Sequence, residues 1–412
     1  MNNYDFNRDT PRQLLNDIKV SIIMPSYNKY DYVSLSLYCL EKQTFSPAEF
    51  EVILVDDCSM DKTHLIPEEL NPLFRFKYIR PKENIGRSKA RNLGIKHAKG
   101  DIIIFLDAEM LIEPDFVENH FKHHLNDKNT VVCGAMHYRG IYTFLTSEFN
   151  HNQWAHINDF VANDSFFMFS YNNFKQNHSN SKRLYPLITK KNIDNKSFKR
   201  LSFPNWYFTQ MLNTGLSDFG FDLSNYTLPY IAFLTGNVSV HRSQLEKTGY
   251  FDQSFKGYGA EDWELGYRLY KEGARFILDP QCFSYHQEHP TSPNNFPEAM
   301  GNLYKLMKKH PYIDVFALAL EHKPALTFTQ IHYVVSEYNE LSTLYPDEYK
   351  EFKQTLCDML LNVVEKLKNS QPVENLHDTD IHTAKIIIQQ LKAVRENQWY
   401  ALSNTFEELF KL

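Results

Sequence analysis

Residues 100–109 read GDIIIFLDAE, five apolar side chains (Ile102–Leu106) that stop abruptly at two carboxylates, Asp107 and Glu109. A short apolar run closed by polar turns is what a strand covered on both faces requires. Two earlier runs have the same shape: KVSIIM (Lys19–Met24), stopped by Pro25, and EVILV (Glu51–Val55), which ends in Asp56-Asp57-Cys58-Ser59. Between them Val33, Leu37 and Leu40 fall at helical spacing, and a further strand is expected over Phe76–Ile79 with a helix from Gly86 to about Ala98. Strand and helix in alternation make an open, Rossmann-like α/β sheet, whose ligands sit at the carboxyl ends of the strands. The polar residues there, Pro25–Asn28, Asp56–Ser59 and Asp107–Glu109, are therefore the first candidates for a site, although Asp, Asn and Ser also follow strands for reasons of turn geometry alone.

The alternation breaks over 140–230, which is rich in Phe, Tyr, Asn and Ser with a basic patch at Lys190–Arg200, and reads as an inserted loop region over the site. Regular patterning returns at Ile231–Arg242, in a helix from about Glu261 to Glu272, and in a strand near Arg275–Leu278. From about Asp314 the chain turns helical: Phe352, Leu356, Met359, Leu360, Val363 and Leu367 keep a 3.6 period. The expected organisation is an N-terminal extension (1–17), an α/β domain (18–312) with the 140–230 insertion, and a small α-helical C-terminal domain (313–412).

The chain has 412 residues, 42% hydrophobic and 23% charged, which excludes disorder and a miniature scaffold. Lys and Arg balance Asp and Glu at 35 each through residue 312, so the net charge of −6 resides in the tail and no basic stripe for nucleic acid is present. Five cysteines without CxxC spacing argue against a disulfide framework or structural zinc and fit a cytoplasmic protein. No apolar stretch approaches the ~20 residues of a transmembrane helix, so any membrane association is expected to be peripheral.

Four clusters can carry chemistry. Asp107 and Glu109 offer two hard oxygen ligands for Mg²⁺ or Mn²⁺ on a diphosphate, or are solvated turn acids. Glu261-Asp262-Trp263-Glu264 opens a helix: capping accounts for one acid, whereas Asp262 can act as a general base, Glu261 can hold an acceptor and Trp263 can face a sugar ring. His286 and His289 are metal ligands if a helical turn aligns them, or ordinary packed and exposed histidines. Arg87 and Arg91, one turn apart after Asn84-Ile85-Gly86, can fork a phosphate or line a solvated helix face.

Taken in order, PSYN (Pro25–Asn28), VDDCSMD (Val55–Asp61), ENIGRSKARNLGI (Glu83–Ile95), GDIIIFLDAE (Gly100–Glu109), LTGNVSVHR (Leu234–Arg242) and GAEDWELGYRL (Gly259–Leu269) resemble the inverting, family-two glycosyltransferases of the GT-A fold, with a galactosyltransferase-type C-terminal half of the catalytic domain. The resemblance implies a nucleotide-sugar donor, usually a UDP-sugar, and Mn²⁺ or Mg²⁺. By position, Pro25, Tyr27 and Asn28 would line the nucleotide pocket, Asp57 or Asp56 would read the base, and Asn84 and Arg87 would lie close by. Asp107 would meet ribose and metal, with Ala108 beside it; Glu109, His286 and His289 would complete the metal shell; Gly236 and Asn237 would border the donor sugar; and Asp262, assisted by Glu261 and Trp263, would be the base side of the site. One departure stands out, since the family's Asp-x-Asp is here Asp-Ala-Glu.

The expected reaction is transfer of a sugar to a hydroxyl or thiol of a glycan, teichoic acid or peptide, with Trp154 and Trp206 as acceptor contacts and homo-oligomerisation through the helical tail. The competing readings are a non-catalytic sugar-nucleotide or glycan-binding module and a sugar-phosphate nucleotidyltransferase. The second lacks its glycine-rich loop, because PSYNKYDY contains no glycine.

Overall fold

The computed structural model describes residues 4–9, 17–134, 140–162, 165–204 and 219–411. In chain order its strands are β1 (Tyr4–Asp9), β2 (Val20–Ser26), β3 (Phe50–Asp56), β4 (Arg75–Pro81), β5 (Ile102–Leu106), β6 (Met110–Ile112), β7 (Thr130–Gly134), β8 (Gly140–Ile141), β9 (Phe144–Leu145), β10 (Tyr185–Pro186), β11 (Ser202–Phe203), β12 (Asn237–His241), β13 (Arg275–Asp279) and β14 (Ser284–Gln287). The main sheet has the order β1-β4-β3-β2-β5-β12-β7-β13. Its centre, β4-β3-β2-β5, is parallel, and the apolar runs that announced it are buried throughout, from Ile22 and Val52 to Ile104 and Phe105.

The sheet is mixed rather than all parallel. The chain leaves β7 at the carboxyl end and re-enters through β12 at that same end, so β12 runs antiparallel to both β5 and β7. Part of the N-terminal extension also joins the sheet, with β1 pairing antiparallel on β4.

The opposite, amino end of the sheet is fastened by one buried acid. Glu51 accepts hydrogen bonds from Ser21 Oγ (2.6 Å) and the Lys99 amide (2.6 Å), while Ser21 Oγ accepts from the Gly100 amide (2.8 Å). Gly100 thereby presses on β2: a Cβ there would lie 2.6 Å from the Val20 carbonyl carbon.

A second buried network ties the helix Phe116–His123 to β12. His120 shares its ring nitrogens with Ser239 Oγ (2.8 Å) and Asn237 Oδ1 (2.9 Å), and His124 Nε2 lies 2.8 Å from the same Ser239 oxygen. Asn237 Nδ2 donates to the Cys282 carbonyl (2.8 Å) and Ser284 Oγ (2.8 Å). Since that amide nitrogen is used as a donor, Oδ1 accepts from His120 Nε2–H. His120 Nδ1 then takes the Ser239 hydroxyl proton, and His124 donates to the serine oxygen. Both imidazoles are neutral in this arrangement.

The 140–230 region is not the loop that its lack of periodicity suggested. Its described residues form helices His151–Ala162, Ser165–Asn177 and Lys190–Asp194, and β8 and β11 join β14 and β6 in a small sheet of order β11-β8-β14-β6. The aromatic residues obscured the period because they pack on one another: Tyr142 stacks on Phe203 (5.2 Å between centroids) and Trp154 on Phe174 (5.6 Å). Trp154 is half-buried and stacks within the insertion, and Trp206 lies outside the described residues.

By compactness the chain divides into two units, one of residues 1–206, 232–253 and 268–293, the other of 207–231, 254–267 and 294–412. The second unit contains the helices Asn295–Lys309, Phe328–Leu344, Lys350–Lys368, Ile381–Glu396 and Tyr400–Phe410, and so takes in residues well before the expected boundary at 313. The apolar stripe of Lys350–Lys368 is buried within it, with Phe352 stacked 4.2 Å from Phe406. Among the described residues no helix is long and apolar enough to cross a membrane.

Two outcomes follow from these networks. Gly100→Ala forces the backbone of β2 and β5 apart and is expected to cost about 1–3 kcal/mol, measured by urea denaturation. Burial lowers the His120 and His124 pKa values to about 4 and about 3, and in His124 the neighbouring His120 adds to the effect. The unfolded chain takes up these protons near pH 6.5 while the folded chain refuses them, so their stabilisation is complete above pH 6.5 and drains away as pH falls through about 4. Across that window urea denaturation of the wild type should show stability falling more steeply with acidification than in His120→Asn, and equal slopes would refute the neutral network.

Candidate active site

The candidate site grows from the carboxyl ends of β2, β3 and β5. Asn28 takes a positive φ of 54° as the chain leaves β2. Three hydrogen bonds hold that turn against the loop after β3: the Asn28 amide to Ser59 Oγ (2.8 Å), the Met60 amide to Asn28 Oδ1 (2.7 Å) and the Tyr30 amide to Asp61 Oδ2 (2.9 Å). Pro25 is half-buried and Tyr27 exposed beside this turn.

The two acids after β3 have separate duties. Asp56 is fully buried, accepting from the Ser59 amide (2.9 Å), the Tyr78 hydroxyl and Arg80 Nη1 (2.6 Å), so it builds the loop and offers nothing to a ligand. Asp57 accepts from the Ile85 amide (2.7 Å) and the Gly86 amide (2.9 Å), and Asn84 Nδ2 donates to its carbonyl (3.2 Å). Burial pushes the Asp57 carboxyl up from its ordinary value, against the pull of those amides. Gly86, at φ 82°, turns the chain into the helix Arg87–His97, which leaves Arg87 exposed at its first position.

Asp107 and Glu109 diverge. Arg91, buried in that helix rather than solvated, donates from Nη2 to Asp107 Oδ1 (3.0 Å). The Asp107 amide reaches the Gly236 carbonyl (3.4 Å), placing the glycine before β12 alongside. Ala108 turns its methyl into the core and its carbonyl to Ser36 Oγ (2.8 Å).

Glu109 faces the histidines instead. In the small sheet His286 on β14 pairs with Met110 on β6, and the Gln287 amide donates to the Glu109 carbonyl (3.0 Å). The strand ends at Gln287, so the chain can fold back and bring His289 Nε2 to 3.2 Å from Glu109 Oε1. Two histidines three apart could not share a face on a continuous strand. Ligand atoms of Glu109, His286 and His289 all lie within 4.8 Å of one another, and these are the only such trio of metal-binding side chains among the described residues. One carboxylate with two imidazoles is a donor set that fits a divalent transition-metal ion.

Two residues not singled out from the sequence complete the cluster. Glu288 holds His286 Nδ1 (3.2 Å), the carboxylate–imidazole contact that orients metal-binding histidines and leaves Nε2 for the ligand side. Lys29 Nζ sits 3.8 Å from Glu109 Oε1. Burial would raise the Glu109 carboxyl, but Lys29, His289 and His286 outweigh it and hold it well below its ordinary value. Both newcomers were in plain view, inside PSYNK and YHQEH, but only the fold brings them together.

Asn237 does not border a donor sugar with its side chain, which is 1% exposed and fully engaged by His120, Cys282 and Ser284. The acidic helix start belongs to the second unit as far as Tyr267. There Glu264 is buried in ion pairs with Lys309 (2.8 Å) and His310 (3.1 Å), Glu261 is buried, and Asp262 is half-buried with Oδ1 accepting from the Trp263 amide (2.9 Å). The Trp263 indole donates to the Ile231 carbonyl (3.1 Å), which fixes the ring.

Comparison with known proteins identifies the family. The family model for glycosyl transferase family 2 matches residues 21–188, and that described as the N-terminal domain of galactosyltransferase matches residues 217–289. The glycosyltransferase YfnE of Bacillus subtilis is 33% identical over 294 residues, 71% of each chain. The chondroitin synthase of Escherichia coli is 28% identical over 310 residues, 74% of this chain and 40% of the synthase, so the chain spans well under half of that longer relative. Among solved structures, S. aureus TarS 1–349 in complex with UDP-GlcNAc aligns over 95% of this chain and 91% of its own at 16% identity and a TM-score of 0.48. On the family match and the YfnE identity, the chain belongs to glycosyl transferase family 2 and is a glycosyltransferase.

Proposed function

We propose that this glycosyltransferase is an inverting enzyme that takes a hexose from a UDP-sugar and places it on a hydroxyl of a glycan, with Glu109, His286 and His289 holding Mn²⁺. The observation that carries the proposal is the Glu109–His286–His289 cluster beside the turns that end β2, β3 and β5. Two imidazoles disfavour Mg²⁺, which takes oxygen ligands and keeps its waters, while the carboxylate suits Mn²⁺. The bound ion would neutralise the diphosphate as it departs.

The rest falls to the chain's own groups. The Asp57-braced loop and the turn Pro25–Asn28 receive the nucleotide, with Asn84 and Arg87 at its edge. Asp262 removes the acceptor proton as the acceptor oxygen attacks the anomeric carbon. The bond from that carbon to the phosphate oxygen breaks, its electron pair stays with the nucleoside diphosphate, and the configuration inverts. Glu261 and Trp263 shape the acceptor side. A glycan acceptor is supported by the names of two relatives, chondroitin synthase and hyaluronan synthase; TarS, 36% identical over 103 residues, is named instead for a poly(ribitol-phosphate) acceptor.

The test is UDP release from a panel of UDP-hexoses and GDP-mannose offered with oligosaccharide acceptors, with Mn²⁺ or EDTA, followed by NMR of the new linkage. A UDP-sugar should be consumed with inversion, and Asp262→Asn should lower kcat roughly 10²–10⁴-fold while nucleotide affinity is kept. Retention of configuration, or an active Asp262→Asn enzyme, would overturn the assignment.

A further inference from the structure

Lys29 has an unusual position for a lysine. Its side chain is only 20% exposed, its ammonium lies 5.1 Å over the ring of Tyr32, and the nearest carboxylate oxygen, Glu109 Oε1, is 3.8 Å away. Among the described residues Nζ makes no hydrogen bond, although an ammonium carries three donors that a sheltered position leaves costly to waste. The long contact to Glu109 is an attraction, not a closed hydrogen bond. Lys29 follows the positive-φ Asn28 and precedes Tyr30, the two residues pinned by the Ser59 and Asp61 hydrogen bonds, so its backbone is fixed on both sides.

The three donors therefore remain available to a ligand beside the carboxylate of the metal-binding trio. The ligand that brings oxygen acceptors to that point, under the donor reading above on which this inference rests, is the diphosphate of the nucleotide. We propose that Lys29 is a catalytic residue that donates hydrogen bonds to the departing diphosphate and shares its neutralisation with the cation at Glu109. As the bond between the anomeric carbon and the phosphate oxygen breaks, the electron pair stays on that oxygen. Lys29 stabilises the charge without giving up its proton. The same positive charge opposes cation binding at Glu109 until the diphosphate arrives, so metal and nucleotide are expected to bind cooperatively.

The test uses the full chain and Lys29→Met, which keeps length and apolar bulk, with Lys29→Arg as the charge-keeping control and thermal melting to confirm folding. Titration calorimetry is run with UDP and with GDP in EDTA, with Mn²⁺ alone, and with nucleotide at saturating Mn²⁺. Lys29→Met should weaken metal-free nucleotide binding about tenfold or more, by the usual strength of a charge-assisted hydrogen bond. It should also tighten Mn²⁺ binding in the absence of nucleotide, and Lys29→Arg should recover most of the nucleotide affinity. Unchanged metal-free nucleotide binding in a folded Lys29→Met would overturn the proposal alone. Wild-type protein that binds neither UDP nor GDP under any condition would overturn the donor reading and this proposal with it. Should Lys29→Met not fold, the Lys29→Gln variant is read in the same way.

Discussion

A three-residue strand decides where the chemistry can be. Met110–Ile112 pairs antiparallel with Ser284–His286, and that register sets His286 opposite Met110, one residue past Glu109. Some 175 residues of chain intervene, so no local preference could have chosen this partner. The pairing is locked from behind by Gln287, whose side chain donates to the Tyr32 carbonyl (3.1 Å) and Ser36 Oγ (3.2 Å) and accepts from Thr143 (2.9 Å). These contacts reach the helix Tyr30–Leu40, which begins just after Lys29, and the insertion at once. A buried amide with three satisfied hydrogen bonds tolerates little displacement, which is how a site made of loop residues acquires the rigidity of a sheet.

The parallel centre of the sheet was legible because its strands are short, wholly apolar and stopped by polar turns, a pattern with few other physical meanings. Helical periodicity marked Tyr30–Leu40, through Val33, Leu37 and Leu40, and Lys350–Lys368 in the same way. The insertion was not legible, since its aromatic residues sit on several sides of short helices and pack on one another, which erases the contrast between inner and outer faces. The antiparallel entry of β12 was hidden too. Direction in a sheet depends on the end at which the chain returns, and LTGNVSVHR reads the same either way.

Motif position located the right segments but did not distinguish a ligand-facing polar group from one that holds the backbone. Asp56 and Asp57 are adjacent, chemically identical and both buried, yet the Tyr78 hydroxyl and Arg80 close over Asp56 while Asp57 braces the Ile85 and Gly86 amides. Asn237 is a comparable case, a residue in a telling motif whose amide is consumed by His120, Cys282 and Ser284. Its role is to seat β12 against the segment that leads into β14. Such groups carry as much constraint as ligands do, because an unsatisfied buried amide or carboxylate costs a large fraction of a domain's stability.

The change from Asp-x-Asp to Asp-Ala-Glu makes sense once the cations are counted. Residues one apart across a turn point in different directions, and here each acid has found its own positive partner: Asp107 has Arg91 at 3.0 Å, while Glu109 faces Lys29 and His289. Were Asp107 Oδ1 itself turned to an ion shared with Glu109, the Arg91 guanidinium, 3% exposed, would lose that carboxylate contact, which carries a desolvation cost. The extra methylene of glutamate offers a cheaper arrangement. It lets one carboxylate reach the two histidines, while Asp107 stays with Arg91 and remains about one-third exposed.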